Sequence, residues 1–341
     1  MSETRMKKVW PLVVVIIAVI GIAVGIFMRQ SRGAPVLVNM LAGPPQPRVS
    51  IGEAGFDPAV IQAAVAYAEK HHSSALLVGR GGHIVFEKYW GGTSYDTPVD
   101  PGFAPVLLAL TAGAELNDRQ LAGLELPASN YIGTAAGAAG EAKLGELLAL
   151  SREGLSAAQS VDLLALVLEK AGGKPYPQLV AEKLWQPLGG GNLEFRRGAS
   201  AWRPKGVDAG CCVRARIGDW MRVAEALAND GVFEGNQLAP PGYVSRMLQA
   251  VRPEATHGYF TRVGTRDGGS FAAHDLAWLE GTNQQRLWIV PSLKLTILRL
   301  GDAAGTDWVE EMIPDTIVRG TSGWQPHTVG EGIDPNKYAP H

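Results

Sequence analysis

β-rich runs at both ends of the chain, with helical runs between them, constrain the possible folds most. SSALLVG and HIVFEKYW flank a glycine turn at Gly81 and Gly82 and predict an antiparallel hairpin. Near the other end, AHDLAWLEG, QRLWIV and LKLTILRLG predict three more strands. Between residues 105 and 250 the apolar positions follow mostly helical spacing. We therefore expect an α+β fold in which strands from the two ends form one antiparallel sheet flanked by helices.

Two amphipathic helices are predicted next to these strands. Asp57 and Pro58 stand at the N-cap and first helical positions of FDPAVIQAAVAYAEK, whose apolar residues form one stripe. A second helix is expected around TDWVEEMIPDTIVRG, after the last strand. The first of them therefore has a sheet or another helix to cover.

An uncharged run of twenty residues, 9–28, is long enough to cross a hydrocarbon core about 30 Å thick. Basic residues lie on both sides of it: Arg5, Lys7 and Lys8 before the run, and Arg29 and Arg32 after it. This small bias favours a cytoplasmic N-terminus over residues 1–8. A cleaved signal peptide is the alternative, but the run exceeds a usual h-region and RQSRGA is a poor cleavage site. The sequence predicts an uncleaved transmembrane anchor.

The rest of the chain divides by composition. Residues 29–54 are rich in proline and show no regular period, which predicts an extended tether. The globular domain is expected over 55–321, and residues 322–341 are expected to be an irregular tail. With 46% hydrophobic and 19% charged residues, the chain has material for a large core.

Charge and cysteine content exclude several classes of partner. The net charge of -2 supplies no basic field, so we expect no nucleic-acid partner. Cys211 and Cys212 are adjacent and are the only cysteines, so they form neither a disulfide framework nor a zinc site. Two small side chains packed in a loop are favoured over a bond between neighbours. No third ligand is spaced near His71 and His72, and we expect no metal and no cofactor.

Four strings together resemble one family, the β-lactamase-like serine hydrolases. This family includes class C β-lactamases, penicillin-binding D-alanyl-D-alanine peptidases and 6-aminohexanoate-dimer hydrolase. The resemblance covers roughly residues 56–319. The strings are LLVGRGGHIVFEKYWGG, DLLALVLEKAGGKPYPQLVAEKLWQPLGG, AGCCVRARIGDWMRVAEALANDGVFEGNQLAPPGYVSRML and QQRLWIVPSLKLTILRLG. The resemblance implies a Ser-x-x-Lys motif at the start of a buried helix, a Tyr-x-Asn motif on another helix, and a Lys-Thr-Gly or His-x-Gly strand motif.

None of these three motifs stands at its implied place. Neighbouring residues put the Ser-x-x-Lys window on 102–105, the Tyr-x-Asn window on 156–158 and the strand window on 282–284. The chain contains neither Ser-x-x-Lys nor Gly-x-Ser-x-Gly at any position. Gly102 and Pro105 suit the start of a helix, where a missing N–H is tolerated. We therefore expect no catalytic residues and a vestigial cleft lined by Gly102, Phe103, Ala104, Pro105, Ser156, Ala158, Thr282, Asn283 and Gln284.

A replacement nucleophile is weighed against simpler roles. Ser151 and Ser156 lie near the expected cleft, but no base is spaced to activate either of them. Cys211 and Cys212 replace a turn that is usually glycine-rich and faces the cleft, so they are possible reactive thiols, although inert cysteines are favoured.

These observations lead to one functional hypothesis and two alternatives. The hypothesis is a single-pass protein of the bacterial cytoplasmic membrane whose domain, periplasmic or extracellular, binds an envelope ligand or protein partner without catalysis. The first alternative is an active hydrolase of an ester, amide or β-lactam that uses a non-standard nucleophile. The second is a structural or assembly module.

Overall fold

The computed structural model describes residues 33–264 and 271–326. The predicted anchor 9–28 lies outside the described residues, as do 1–8 and most of the predicted tail. Across 33–264 and 271–326, no helix is long and apolar enough to cross a membrane.

The described chain is a mixed α/β domain with antiparallel sheets. The strands are β1 Val36–Val38, β2 Ser73–Arg80, β3 His83–Tyr89, β4 Pro98–Val99, β5 Leu193–Phe195, β6 Arg197–Gly198, β7 Gly206–Val207, β8 Val213–Arg216, β9 Val232–Phe233, β10 Asn236–Gln237, β11 Arg262–Val263, β12 Ala277–Glu280, β13 Arg286–Val290 and β14 Leu295–Gly301. The helices are α1 Pro58–Lys70, α2 Ala104–Asn117, α3 Ser129–Ile132, α4 Leu144–Leu148, α5 Ala157–Gly172, α6 Tyr176–Val180, α7 Ile217–Ala228, α8 Tyr243–Met247 and α9 Met312–Arg319. Short 3₁₀ turns cover Gly137–Glu141, Thr282–Gln284 and Pro291–Leu293, and a π turn covers Ala181–Trp185.

The main sheet joins the two ends of the described chain, and this prediction is confirmed. Its strand order is β11-β12-β13-β14-β2-β3, and every neighbouring pair is antiparallel. β14 pairs with β2 so that Leu298 faces Leu77 and Ile297 faces Val78. All four side chains are inaccessible to solvent, because both faces of the sheet are covered.

Different helices cover the two faces of the sheet. On one face α1 and α9 bury Ile61, Ile313 and Ile317 against the alternate residues of β2 and β14. On the other face α2 and α7 share the larger core with Leu77 and Leu298. Every residue of α2 from Val106 to Glu115 is buried, as a helix with apolar residues on all its faces predicts.

The start of α1 agrees with the sequence prediction. Pro58 is its first residue, and the Asp57 side chain accepts a hydrogen bond from Ala59 N at 2.9 Å. This bond satisfies an N–H group that has no partner within the helix.

A second sheet, which the sequence did not indicate, includes part of the predicted tether. Its order is β1-β5-β8-β4, and β1 lies at the edge. The residues that follow β1 also bind the domain: Gly43 N donates to Gly189 O at 2.9 Å, and the buried Gln46 side chain donates to Glu225 at 2.7 Å. Residues 36–46 of the predicted extended tether are therefore fixed to the domain by backbone and side-chain hydrogen bonds.

The first residues of the predicted tail are also fixed to the domain. Ser322 N donates to Gly55 O at 2.7 Å, and Trp324 Nε1 donates to Ala272 O at 3.0 Å. The irregular tail that the sequence predicts from 322 therefore begins with ordered contacts, and residues 327–341 lie outside the description.

A buried carboxyl on α9 makes the stability depend on pH. Asp315 is 1% exposed, and its Oδ1 accepts from Ala272 N at 2.7 Å. Burial raises the pKa of Asp315 to about 7; Glu311 adds to this, while the Ala272 N–H and Arg319 oppose it. In the unfolded chain the carboxyl titrates near its ordinary value of about 3.9. The folded protein therefore keeps a proton that the unfolded chain releases.

We expect this group to contribute stability below about pH 4 that is lost as pH rises to about 7. Asp315→Asn keeps an acceptor for Ala272 N and removes the titration. The variant is then expected to be more stable than the parent at pH 8 by roughly 4 kcal/mol, with little difference at pH 4. Urea unfolding of both proteins from pH 4 to 8 measures this difference. A difference that stays constant with pH contradicts the prediction.

Candidate functional site

The start of α2 and the turn between β12 and β13 meet at one point of the domain. A Cβ atom built on Gly102 would lie 3.2 Å from Thr282 N and 3.3 Å from Gly281 Cα. The structure thus brings together two of the three windows named from the sequence, 102–105 and 282–284.

Gly102 has a backbone conformation that explains its residue type. Its φ angle is +90°, which L side chains rarely adopt. The preceding Asp100 supports this bend, because its Oδ1 accepts from Gly102 N at 3.2 Å. Burial raises the pKa of the Asp100 carboxyl, whereas the Gly102 N–H, Arg196 and Arg214 act to lower it.

The space between α2 and the turn is filled by backbone. A Cβ atom on Gly281 would stand 2.0 Å from Pro101 O and 3.0 Å from Phe103 Cε1. Gln285 reaches the same carbonyl, with Nε2 donating to Pro101 O at 3.4 Å. This contact leaves no room for a side chain between the two elements.

Phe103 and Ala104 face the core and do not line a cleft. They are 2% and 1% exposed, and the Phe103 ring meets Trp220 edge-on with centroids 5.6 Å apart. The expectation that these two residues line a cleft is corrected, because the first turn of α2 points them inward. Pro105 is half-buried in the same turn.

A buried arginine, Arg299, binds the backbone of the Thr282–Gln284 turn on its core side. Arg299 is inaccessible to solvent and donates to five oxygens: Ser73 Oγ, Asn283 O, Gln284 O, His71 O and Asp302 O. No carboxylate is among these acceptors. Burial, together with the nearby Arg286, lowers the pKa of Arg299 to about 10, so it stays charged at neutral pH.

Side chains on the turn also have structural partners. Gln284 Oε1 accepts from Ala304 N at 3.1 Å, so this side chain bonds to the domain. Arg286 donates to Gly281 O at 3.3 Å and to Gln285 O at 3.0 Å. The carbonyl groups at both ends of the turn are therefore directed at a guanidinium.

Thr282 and Asn283 are the exposed residues of this turn. The Thr282 hydroxyl accepts from Gln285 Nε2 at 3.4 Å. A carboxamide cannot take up a proton, so this contact does not activate the hydroxyl as a nucleophile.

Ser156, in the third window 156–158, caps the N-terminus of α5. The Ser156 hydroxyl accepts from Gln159 N at 3.2 Å, and Gln159 Oε1 accepts from Ser156 N at 2.9 Å. This reciprocal pair is a capping box at the start of α5. Ser156 therefore bonds within its own helix, and Ala158 is exposed on the first turn.

Cys211 and Cys212 form a disulfide bond between neighbours. The bond lies just before β8, where Cys212 O accepts from Arg196 N at 3.1 Å. The sequence favoured two separate, inert side chains and left both cysteines as possible reactive thiols; the disulfide corrects both expectations. A disulfide sulfur is neither a thiolate nucleophile nor a metal ligand.

We expect the unfolded protein to contain no free thiol unless a reductant is added. Titration with a thiol reagent in denaturant gives two thiols per chain after reduction and none before it. On reduction each chain gains two hydrogen atoms in intact mass, which separates this bond from a link between two chains. Two reactive thiols in the untreated protein would rule out the bond.

The described residues contain no group of three His, Cys, Asp or Glu side chains able to hold a metal ion. His71, one of the two histidines considered from the sequence, is buried with Nδ1 2.6 Å from Ala304 O. Two cavities, of about 910 and 500 Å³, lie beside α8, and neither is lined by Gly102 or Thr282.

Comparison with known proteins addresses the fold. No family model matches the chain, and no curated protein matches it in sequence. Solved structures do match. A protein assigned as a 6-aminohexanoate-dimer hydrolase, from Bacillus anthracis, superposes with a TM-score of 0.62 at 16% identity, over 82% of this chain and 89% of that one.

Two further matches are a penicillin-binding protein homologue from Caulobacter crescentus and a class C β-lactamase from Rhodobacter sphaeroides. Their TM-scores are 0.59 and 0.56, at 12% and 14% identity. Each covers 77% of this chain, and the matched parts are 97% and 99% of the other chains. The chain has the β-lactamase-like fold. At these identities the likeness concerns the fold alone.

Four residues that were not predicted from the sequence shape this site: Asp100, Gly281, Gln285 and Arg299. Asp100 carries a local signal, because an Asp two residues before a glycine is typical of a turn. The other three have no such signal. Their partners include Pro101 O, 184 residues from Gln285, and Asn283 O, 16 residues from Arg299, so only the tertiary structure reveals their roles.

Proposed function

We propose that this chain is a membrane-anchored protein with a β-lactamase-like fold that has lost acyl-transfer chemistry and binds a ligand or protein partner in the bacterial envelope. One observation carries the proposal. The backbone of Gly281 contacts Pro101 O at the point where the resemblance places the nucleophile. Acyl transfer needs a nucleophile, a base beside it and room for the substrate carbonyl.

The residues at this point supply none of these three requirements. Gly102 has no hydroxyl, Pro105 has no amine, and the nearby Thr282 hydroxyl contacts an amide. Removing a nucleophile or its base in a serine hydrolase lowers kcat by about 10⁶-fold. Turnover by the usual route would therefore be negligible.

Ligand binding at the same turn requires neither a nucleophile nor a base. Thr282 and Asn283 are exposed on a turn that Arg299 fixes from below. Fixed, uncharged polar groups offer hydrogen bonds to a ligand at little entropic cost. The anchor predicted over 9–28 supports placement of this surface in the envelope.

Covalent probes test the loss of chemistry. The purified full chain is incubated with a fluorophosphonate probe and a fluorescent penicillin, and nitrocefin hydrolysis is followed in parallel. We expect neither labelling nor turnover, whereas an active class C β-lactamase is labelled under the same conditions. Labelling of any serine by either probe rejects the proposal and restores the hydrolase alternative.

Thermal shifts separate binding from a structural role. A ligand present at 100 times its Kd stabilises the folded state by about 2.7 kcal/mol. We expect a muropeptide from the host cell wall to raise the Tm of the full chain and to have less effect on Asn283→Ala. A Tm that no muropeptide moves, in a chain that also captures no envelope protein, favours the structural module.

A further inference from the structure

Two leucines near the beginning of the described chain are unusually exposed. Leu37 is 60% exposed and Leu41 is 98% exposed. We call residues 34–41 the β1 edge, because they contain β1 at the border of the second sheet. Strand alternation turns Val36 and Val38 toward the core and Leu37 outward. Burial of a leucine is favourable, so two exposed leucines on one short edge indicate a partner.

Cationic groups lie beside these leucines. Arg197 is exposed, and its Nε donates to Ala34 O at 2.7 Å. Along the outward face, Leu37 lies opposite Glu194, which lies opposite Arg214. Arg214 is half exposed and 4.0 Å from the Glu194 carboxylate. Apolar side chains bordered by arginines are typical of surfaces that bind at the boundary between acyl chains and anionic headgroups.

The chain length places this edge near a bilayer. Four residues, 29–32, separate the predicted span from Gly33. Even a fully extended chain covers only about 17 Å over the five steps from Met28 to Gly33. Two of the four residues, Arg29 and Arg32, suit the anionic headgroup layer. The β1 edge is therefore the part of the described domain that the chain holds closest to the membrane.

We propose that the β1 edge is a second membrane contact, in which Leu37 and Leu41 enter the bilayer interface and Arg197 binds lipid phosphate. This inference rests on the proposed membrane anchor. A second contact of this kind would hold the domain against the bilayer in one orientation, whereas a tether alone would let it rotate. A second copy of the chain, pairing through the same edge, is the competing occupant.

Depth-dependent quenching in the full chain tests the contact. Leu41→Cys is labelled with the environment-sensitive dye NBD without reductant, so that the native disulfide stays closed. The labelled chain is reconstituted into phosphatidylcholine–phosphatidylglycerol vesicles with and without doxyl-labelled lipid. Leu150→Cys and Val309→Cys, which replace other exposed apolar side chains, are the matched controls.

We expect doxyl lipid to reduce the emission at position 41 by at least about twofold and to leave the controls unchanged. We also expect Leu37→Asp to abolish most of the quenching at position 41, because a charged side chain resists entry into the interface. Since Leu37 is exposed, this substitution leaves the core intact.

The outcomes separate this inference from the anchor on which it rests. Release of the full chain by alkaline carbonate would overturn the anchor and the inference together. Resistance to carbonate with no quenching at position 41 would overturn the inference alone. Shielding of the dye that depends on the protein-to-lipid ratio, and not on doxyl lipid, would assign the edge to a second copy instead.

Discussion

Gly281→Ala is expected to lower the free energy of unfolding by about 3 kcal/mol, at the upper end of the usual cost of overpacking. The new Cβ atom would lie 2.0 Å from Pro101 O. A backbone carbonyl at the start of α2 cannot rotate away as a side chain can. The φ angle of Gly281 is -104°, which alanine adopts freely, so the cost comes from space alone.

Gly123→Ala is the matched control, because its φ is also ordinary and nothing lies within 4 Å of the added Cβ. Urea unfolding at constant pH compares both variants with the parent. The control is expected within about 0.5 kcal/mol of the parent. Equal stabilities for Gly281→Ala and Gly123→Ala would mean that the turn and α2 are separated, and that a cleft is open at Gly102.

Arg299→Met is the second substitution with a large expected effect. It leaves up to four backbone carbonyls and the Ser73 hydroxyl without their donor. An unsatisfied buried polar group costs about 1–3 kcal/mol, so we expect a total loss of roughly 3 kcal/mol or more. The loss also releases the Thr282–Gln284 turn, because Arg299 donates to two of its carbonyls.

Hydrogen exchange distinguishes this local release from a general loss of stability. Gly281 N and Gln285 N are bonded across the turn, to Gln285 O and Thr282 O, both at 2.9 Å. In Arg299→Met these two amides are expected to exchange faster than amides in the paired strands β2 and β14. Arg252→Met, at a position 64% exposed, is the control and is expected to change stability by less than about 1 kcal/mol. Unchanged exchange at the turn contradicts the assigned role of Arg299.

These two substitutions disturb the contact between the Thr282–Gln284 turn and the start of α2 in different ways. Gly281→Ala forces the turn away from α2, and Arg299→Met removes its support from below. If either variant gained labelling by the fluorophosphonate probe while the parent had none, the closed backbone contact would be the element that suppresses chemistry. We expect no gain, because Gly102 and Pro105 still lack a hydroxyl and an amine.

The sequence predicted the main sheet because its strands are long and carry strong periodicity. β2, β3 and β14 have seven or eight residues each, and their apolar residues have few alternative placements. The start of α1 could also be predicted from the sequence, because Asp57 and Pro58 act through contacts within three residues.

The second sheet could not be predicted from the sequence. Its strands have two to four residues, too few for a period to stand out from chance. β1 lies in a proline-rich stretch whose composition is that of a tether, and only its pairing with the distant β5 makes it a strand. The same pairing leaves Leu37 exposed, which no sequence pattern indicated.

At the candidate site, the sequence by itself determined which chemical groups are present, and therefore that no serine and lysine stand at the start of α2. A residue type is a covalent fact that folding does not alter. Only the tertiary structure decided that Gly102 and Thr282 meet, that Phe103 turns into the core, and that Gly281 seals the gap against Pro101. These outcomes depend on contacts between segments about 180 residues apart, and the packing of the whole domain sets their distances.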